Sequence, residues 1–124
     1  MSNKFSRILE PIKIGKMEVK NRVAMAPMGI LGLTNPDGSL SKRGVDYYIE
    51  RARGGTGLIV TGAFKVECEI DACAPSILFS EASLSSFAEL AEAVHALGSK
   101  IFVQLTAGFG RSGHPMMLLK QPVA

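Results

Sequence analysis

The chain has 124 residues, 47% hydrophobic and 20% charged, with a formal net charge of +3; this is the composition of one small globular unit and not of a disordered segment. Lys and Arg are scattered without a basic run, which argues against nucleic-acid binding, and no apolar stretch approaches the ~20 residues that cross a bilayer, so no membrane role is expected. Met1-Ser2-Asn3-Lys4-Phe5 lacks the apolar core of a signal peptide, so a cytoplasmic location is expected, with Cys68 and Cys73 as free thiols and not a disulfide framework.

The first elements follow from alternation. Pro11-Ile12-Lys13-Ile14 and Met17-Glu18-Val19-Lys20 alternate around Gly15-Lys16, which predicts a small β-hairpin. Residues 23–26 form a short apolar run that ends in Pro27-Met28-Gly29. That pattern predicts a buried parallel strand whose pairing stops at Pro27, which has no N–H to donate. Gly29 would let the backbone approach a ligand closely. Asn35-Pro36-Asp37-Gly38 is a turn signal. A helix is expected over 41–53, because Val45, Tyr48, Ile49 and Ala52 fall at i, i+3, i+4 and i+7; Gly54-Gly55 ends it.

The pattern then repeats. Residues 58–61 read as a second buried strand, ending in Gly62-Ala63, followed by a long loop from Phe64 to about Ser83. A second helix is expected from there to Leu97, with Phe87, Leu90, Ala91, Val94 and Leu97 on its apolar stripe. Ser86-Phe87-Ala88-Glu89 fits a capping box, and Ser83 is the competing cap. Gly98 is a C-terminal stop, and residues 100–105 read as the third strand. Strand–helix alternation implies parallel strands joined by helical crossovers. The expected fold class is α/β: a partial (β/α)8 TIM barrel, with its first three strands and two helices, preceded by a short β-hairpin. Three strands do not close a barrel. Their open edges predict an incomplete domain, either part of a longer chain or a piece completed by association, with a homo-oligomer as the expected state.

Several of these motifs together resemble the old yellow enzyme family. They are Pro11-Ile12-Lys13-Ile14-Gly15, Lys20-Asn21-Arg22, Ala26-Pro27-Met28-Gly29, Tyr47-Tyr48 with Arg51-Ala52, the stretch 54–62, and Gln104-Leu105. Met28-Gly29-Ile30-Leu31-Gly32-Leu33 and Ala107-Gly108-Phe109-Gly110-Arg111 are most similar to the 2-enoate reductases, relatives of 2,4-dienoyl-CoA reductase. The resemblance runs from about Phe5 to Arg111 and corresponds to the amino-terminal part of the family's barrel. It implies an FMN-dependent ene-reductase, with NADH or NADPH as electron donor and a small unsaturated molecule as substrate. It also implies that Pro27, Met28, Gly29, Ala63 and Gln104 face the flavin. Gly29 and Ala63 allow close approach of a flat ring, and the Gln104 carboxamide can both donate to and accept from its pyrimidine. Some relatives carry a flavin-tuning Cys or Thr where this chain has Gly29. The family's catalytic tyrosine, substrate-anchoring pair and phosphate loops lie on later strands, so no catalytic residue maps onto this chain. FAD and a 4Fe–4S cluster, where present, belong to a further carboxyl-terminal part.

Other features have plainer readings. Gly54-Gly55-Thr56-Gly57 runs from helix into strand, opposite to a phosphate loop, and reads as a connector. Gly108, Gly110 and Gly113 match GxGxxG after a strand, but His114-Pro115 interrupts the helix that a dinucleotide fingerprint needs. A dinucleotide-binding module is therefore the alternative function, and a non-catalytic barrel fragment the third. Tyr47 and Tyr48 read as packing residues and His95 as a surface or boundary residue. Arg111 fits an ion pair at least as well as an anionic ligand. Cys68 and Cys73 lack two further ligands for a metal site.

Overall fold

The computed structural model describes residues 5–29, 32–66, 77–78 and 83–106. A single helical turn, α1 (Ser6–Leu9), comes first; four residues are too few to leave a periodic signal in the sequence. β1 (Ile12–Ile14) and β2 (Met17–Val19) then form the expected antiparallel hairpin, Ile12 opposite Val19 and Ile14 opposite Met17. Gly15 takes φ +59° in its turn, where a side chain would be strained.

The hairpin is fastened under the main sheet by the next two residues. Lys20 Nζ donates to the Leu97 carbonyl at 2.8 Å, satisfying an orphan group at a helix C-terminus. Asn21 donates from Nδ2 to the Gly55 carbonyl at 2.7 Å and accepts at Oδ1 from Val23 N–H at 3.0 Å. A Cβ on Gly57 would collide with Asn21, so the glycine there is a packing requirement.

The main sheet is parallel, with β4 (Leu58–Lys65) between β3 (Ala24–Met25) and β6 (Lys100–Thr106). Ala24 lies beside Leu58, and Leu58 beside Lys100. Helices α2 (Lys42–Arg53) and α3 (Leu84–Ala96) share one face of it. One apolar cluster joins Val45, Tyr48 and Ala52 of α2, Ile59 and Phe64 of β4, and Leu90 and Val94 of α3, with Ile49, Phe87 and Ile101 packed against it. The Phe64 and Phe87 rings meet edge to face at 4.7 Å. Ser41 caps α2 by accepting from Gly44 N–H at 3.2 Å, while its hydroxyl donates to the Leu33 carbonyl. The turn at 35–38 closes a short antiparallel bridge between Thr34 and Leu40. There Asp37 accepts from the hydroxyl and the N–H of Ser39, which lowers its carboxyl from the ordinary value.

Four expectations need correction. The second strand does not end at Thr61: β4 runs on through Lys65, because β6 continues the ladder beyond Gly62. The segment expected to be loop from Phe64 also holds β5 (Ile77–Leu78), parallel to β4 with Ile77 beside Phe64; two residues carry no alternation to read. The capping box at 86–89 is not formed. Ser83 takes the cap position, without a side-chain cap bond to the helix, and Ser86 sits inside α3, donating to the Ser83 carbonyl at 2.9 Å. The first strand is also shorter and more open than expected. Only Ala24 and Met25 enter the ladder, and Val23 is 39% exposed. Among the described residues β3 pairs with β4 alone, which leaves its other flank uncovered.

Candidate functional site

Parallel strands bring their carboxyl ends to one edge of the sheet. At that edge β4 carries an extra residue. Val60 is paired with Phe102 and Ala63 with Gln104, so Thr61 and Gly62 stand opposite Val103 alone. This is a β-bulge, a feature that re-aims the side chains following it. Ile101 packs on the helices. Alternation along β6 therefore turns Phe102 and Gln104 to the opposite face. Gln104 is exposed there, beside the half-buried Ala63, and no described residue takes its carboxamide.

The bulge is held from behind. Gly62 N–H donates to the Tyr48 hydroxyl at 3.0 Å in a buried bond. The Thr61 hydroxyl donates to the Gly62 carbonyl at 2.9 Å and accepts from Gln104 N–H at 3.2 Å. Burial pushes the Tyr48 hydroxyl above its ordinary value, and the Gly62 N–H works in the other direction.

The loop after β3 closes the same edge. A Cβ on Gly62 would lie under 3.0 Å from the Met28 carbonyl oxygen, 3.1 Å from its carbon and 3.4 Å from Gly29 Cα. The chain at Met28-Gly29 thus lies directly on Gly62. Gly29 itself faces open space: no described atom lies within 4 Å of a Cβ built there. Pro27, Met28 and Gly29 are all exposed. The five residues singled out from the sequence therefore lie at one end of one sheet, around the bulge: Pro27, Met28 and Gly29 on the loop, Ala63 and Gln104 as a cross-strand pair.

Sequence reasoning passed over Tyr48, Thr61 and Gly62. Tyr48 packs as expected, 1% exposed, but its hydroxyl also serves the bulge. The available signal was chemical: a tyrosine in an apolar stripe must find a partner for its oxygen once buried. Tyr47 packs under Arg51, whose guanidinium carbon lies 3.2 Å from the ring centroid. His95 is exposed at the end of α3. Residues 54–57 do connect helix to strand, at the end of the sheet away from the bulge. Cys68, Cys73, Arg111, His114 and the glycines Gly108, Gly110 and Gly113 lie outside the described residues. Among the described residues no three His, Cys, Asp or Glu side chains cluster so as to hold a metal, and no helix is long and apolar enough to cross a membrane.

Known proteins share this fold. The chain is 49% identical over 129 residues to a cinnamate reductase of Clostridium sporogenes; the match takes in 100% of this chain and 19% of that protein. The old yellow enzyme of Trypanosoma cruzi superposes with a TM-score of 0.76 at 31% identity, over 95% of this chain and 31% of the other. A 2-naphthoyl-CoA reductase, in complex with 2-naphthoyl-CoA, superposes with a TM-score of 0.77 at 28% identity, over 89% of this chain and 17% of the other. The chain thus spans about a fifth of the cinnamate reductase and under a third of the old yellow enzyme. These likenesses agree with the parallel sheet and one-sided helices of a partial (β/α)8 barrel. Residues 7–117 match the NADH:flavin oxidoreductase / NADH oxidase family, and the chain belongs to it.

Proposed function

We propose that this chain is a segment of an FMN-dependent ene-reductase, supplying the first three strands of its flavin-binding barrel. The whole protein would reduce the activated C=C bond of 2-enoates or enoyl thioesters with NADH or NADPH. The observation that carries the flavin reading is the edge around the bulge, where Ala63 and Gln104 stand side by side next to the Met28-Gly29 backbone. The likeness to a cinnamate reductase over the full chain supports the substrate class.

The residues present fit a flavin. A flat ring needs a surface without projecting side chains, and Gly29 and Ala63 provide one. A pyrimidine edge needs mixed donors and acceptors. The exposed Gln104 carboxamide, which no described residue engages, offers both. When bound, FMN supplies the hydride chemistry that links a nicotinamide to an alkene. This chain's share of the work is to orient the ring. Gln104 would hold the ring's pyrimidine edge, the Met28-Gly29 backbone would limit its approach from one side, and Ala63 would leave it room. FAD and a 4Fe–4S cluster, where the protein uses them, would be held outside this segment, and the cytoplasm is the compartment proposed.

Flavin fluorescence titration of the protein that carries this segment tests the reading. Gln104→Leu leaves flavin polar groups unpaired, a loss of roughly 1–3 kcal/mol, or about 5- to 150-fold in FMN affinity. Equal affinity would remove Gln104 from the site. A protein that neither binds FMN nor oxidises NADH or NADPH when given cinnamate would refute the assignment.

A further inference from the structure

A bulge leaves backbone groups outside the ladder, and those groups need partners when buried. Here two side chains meet the need from different elements. Tyr48, from the buried face of α2, takes the Gly62 N–H at 3.0 Å. Thr61, within the bulge, links the Gly62 carbonyl at 2.9 Å to the Gln104 N–H at 3.2 Å. Each bond ends on a residue of the candidate edge or on its immediate neighbour. Gly62 supports the Met28 carbonyl and precedes Ala63; Gln104 is Ala63's partner on β6. A helix residue that never reaches the cofactor surface is thereby tied to both strands and to the loop that form it.

We propose that Tyr48 and Thr61 form a buried brace that sets the β4 bulge and so aligns Ala63, Gln104 and the Met28 backbone as one flavin-facing edge. Both are positioning residues, and the proposal rests on the flavin reading above. The brace has two ends, on different elements. The Tyr48 end fixes the height of Gly62 relative to the loop after β3. The Thr61 end fixes how β6 lies against β4 at Gln104. Loss of either hydroxyl frees the bulge to relax toward regular pairing. In an unbulged ladder Val103 would stand opposite Thr61 and Gln104 opposite Gly62, which breaks the Ala63–Gln104 pair.

The test uses the whole protein that carries this segment, titrated with FMN by fluorescence, with visible circular dichroism of the bound flavin as a second readout. Wild type comes first: if it does not bind FMN, the flavin reading falls and the brace with it. Where wild type binds, Tyr48→Phe keeps the packed ring and removes only the oxygen. It is expected to weaken FMN about 3- to 10-fold and to alter the flavin dichroism, which reports the asymmetry of the ring's surroundings. Tyr47→Phe, which keeps its stack on Arg51, is expected to leave both readouts unchanged. Thr61→Val should reproduce the Tyr48→Phe change, and Thr61→Ser should restore wild-type affinity and spectrum. The double variant Tyr48→Phe/Thr61→Val should lose less than the two single losses combined, because both act on one bulge. Should Tyr48→Phe fail to fold, the Thr61→Val and Thr61→Ser pair decides the matter alone. Wild-type affinity and dichroism in Thr61→Val, or no rescue by Thr61→Ser, overturns the brace while leaving the flavin reading in place.

Discussion

Replacing Gly62 by alanine probes how tightly the loop after β3 packs on the bulge. Gly62 is not among the glycines with positive φ, so the substitution carries no backbone strain and acts through space alone. The new methyl would lie under 3.0 Å from the Met28 carbonyl oxygen and 3.1 Å from its carbon. Those atoms are main chain, not the end of a flexible side chain, so the whole loop after β3 must lift. Overpacking of this kind costs about 1–3 kcal/mol, offset by ~0.4–1 kcal/mol from the stiffer unfolded chain. A net loss of about 1–2 kcal/mol in the flavin-free protein is expected, read as a lower urea midpoint at unchanged slope. FMN affinity should fall as well, because the Met28-Gly29 backbone moves with the loop. Gly29→Val is the matched contrast. No described atom lies within 4 Å of a Cβ at Gly29, so the urea midpoint of the flavin-free protein should hold while FMN affinity drops. Gly62→Ala with the wild-type midpoint and wild-type affinity would refute the close packing of loop on bulge. Gly29→Val binding FMN as tightly as wild type would take Gly29 out of the site.

Three further outcomes are expected. Leu90 is 1% exposed and Phe87 only half-buried. Leu90→Ala should therefore cost about 2–5 kcal/mol, and Phe87→Ala about 2 kcal/mol, below the range of a fully buried phenylalanine; an unchanged denaturation midpoint for Leu90→Ala would contradict the assigned helix face. Burial raises the Tyr48 hydroxyl above its ordinary 10.0, so the folded chain favours the neutral form. That contribution is intact below about pH 10 and lost as pH climbs from there through the raised value. Tyr48→Phe should flatten this part of the stability–pH curve, and equal alkaline losses in both proteins would exclude Tyr48 as a source. The 124-residue chain on its own presents Phe102, Val103 and Leu105, at 50%, 38% and 55% exposure, along β6, which among the described residues pairs with β4 alone. It should self-associate at tens of micromolar; a stable monomer in sedimentation would show that these side chains are covered in some other way.

The sequence by itself determined the order of the larger elements and which faces are apolar. Val45, Tyr48 and Ala52 recur at helical spacing, and Leu90 and Val94 do likewise, because a helix turns every 3.6 residues and must hide one side. Pro27 marked the end of the first strand because it lacks a donor, and Gly15 and Asp37-Gly38 marked turns because their backbone geometry demands small or self-bonding residues. These are local constraints, and local constraints leave a local trace. The bulge left none. Whether Gly62 ends a strand or merely interrupts its pairing depends on what β6 offers across the gap, and that is a property of two segments about 40 residues apart. The hydroxyl of Tyr48 found its use in the same way. Its ring belongs to the apolar stripe of α2, but its oxygen acquired a partner only when α2 was laid across β4. Strand β3 shows the converse. Its apolar residues suit a strand covered on both sides, yet Ala24 within it and Val23 just before it are exposed, because burial depends on which neighbours are present and not on the strand's own composition.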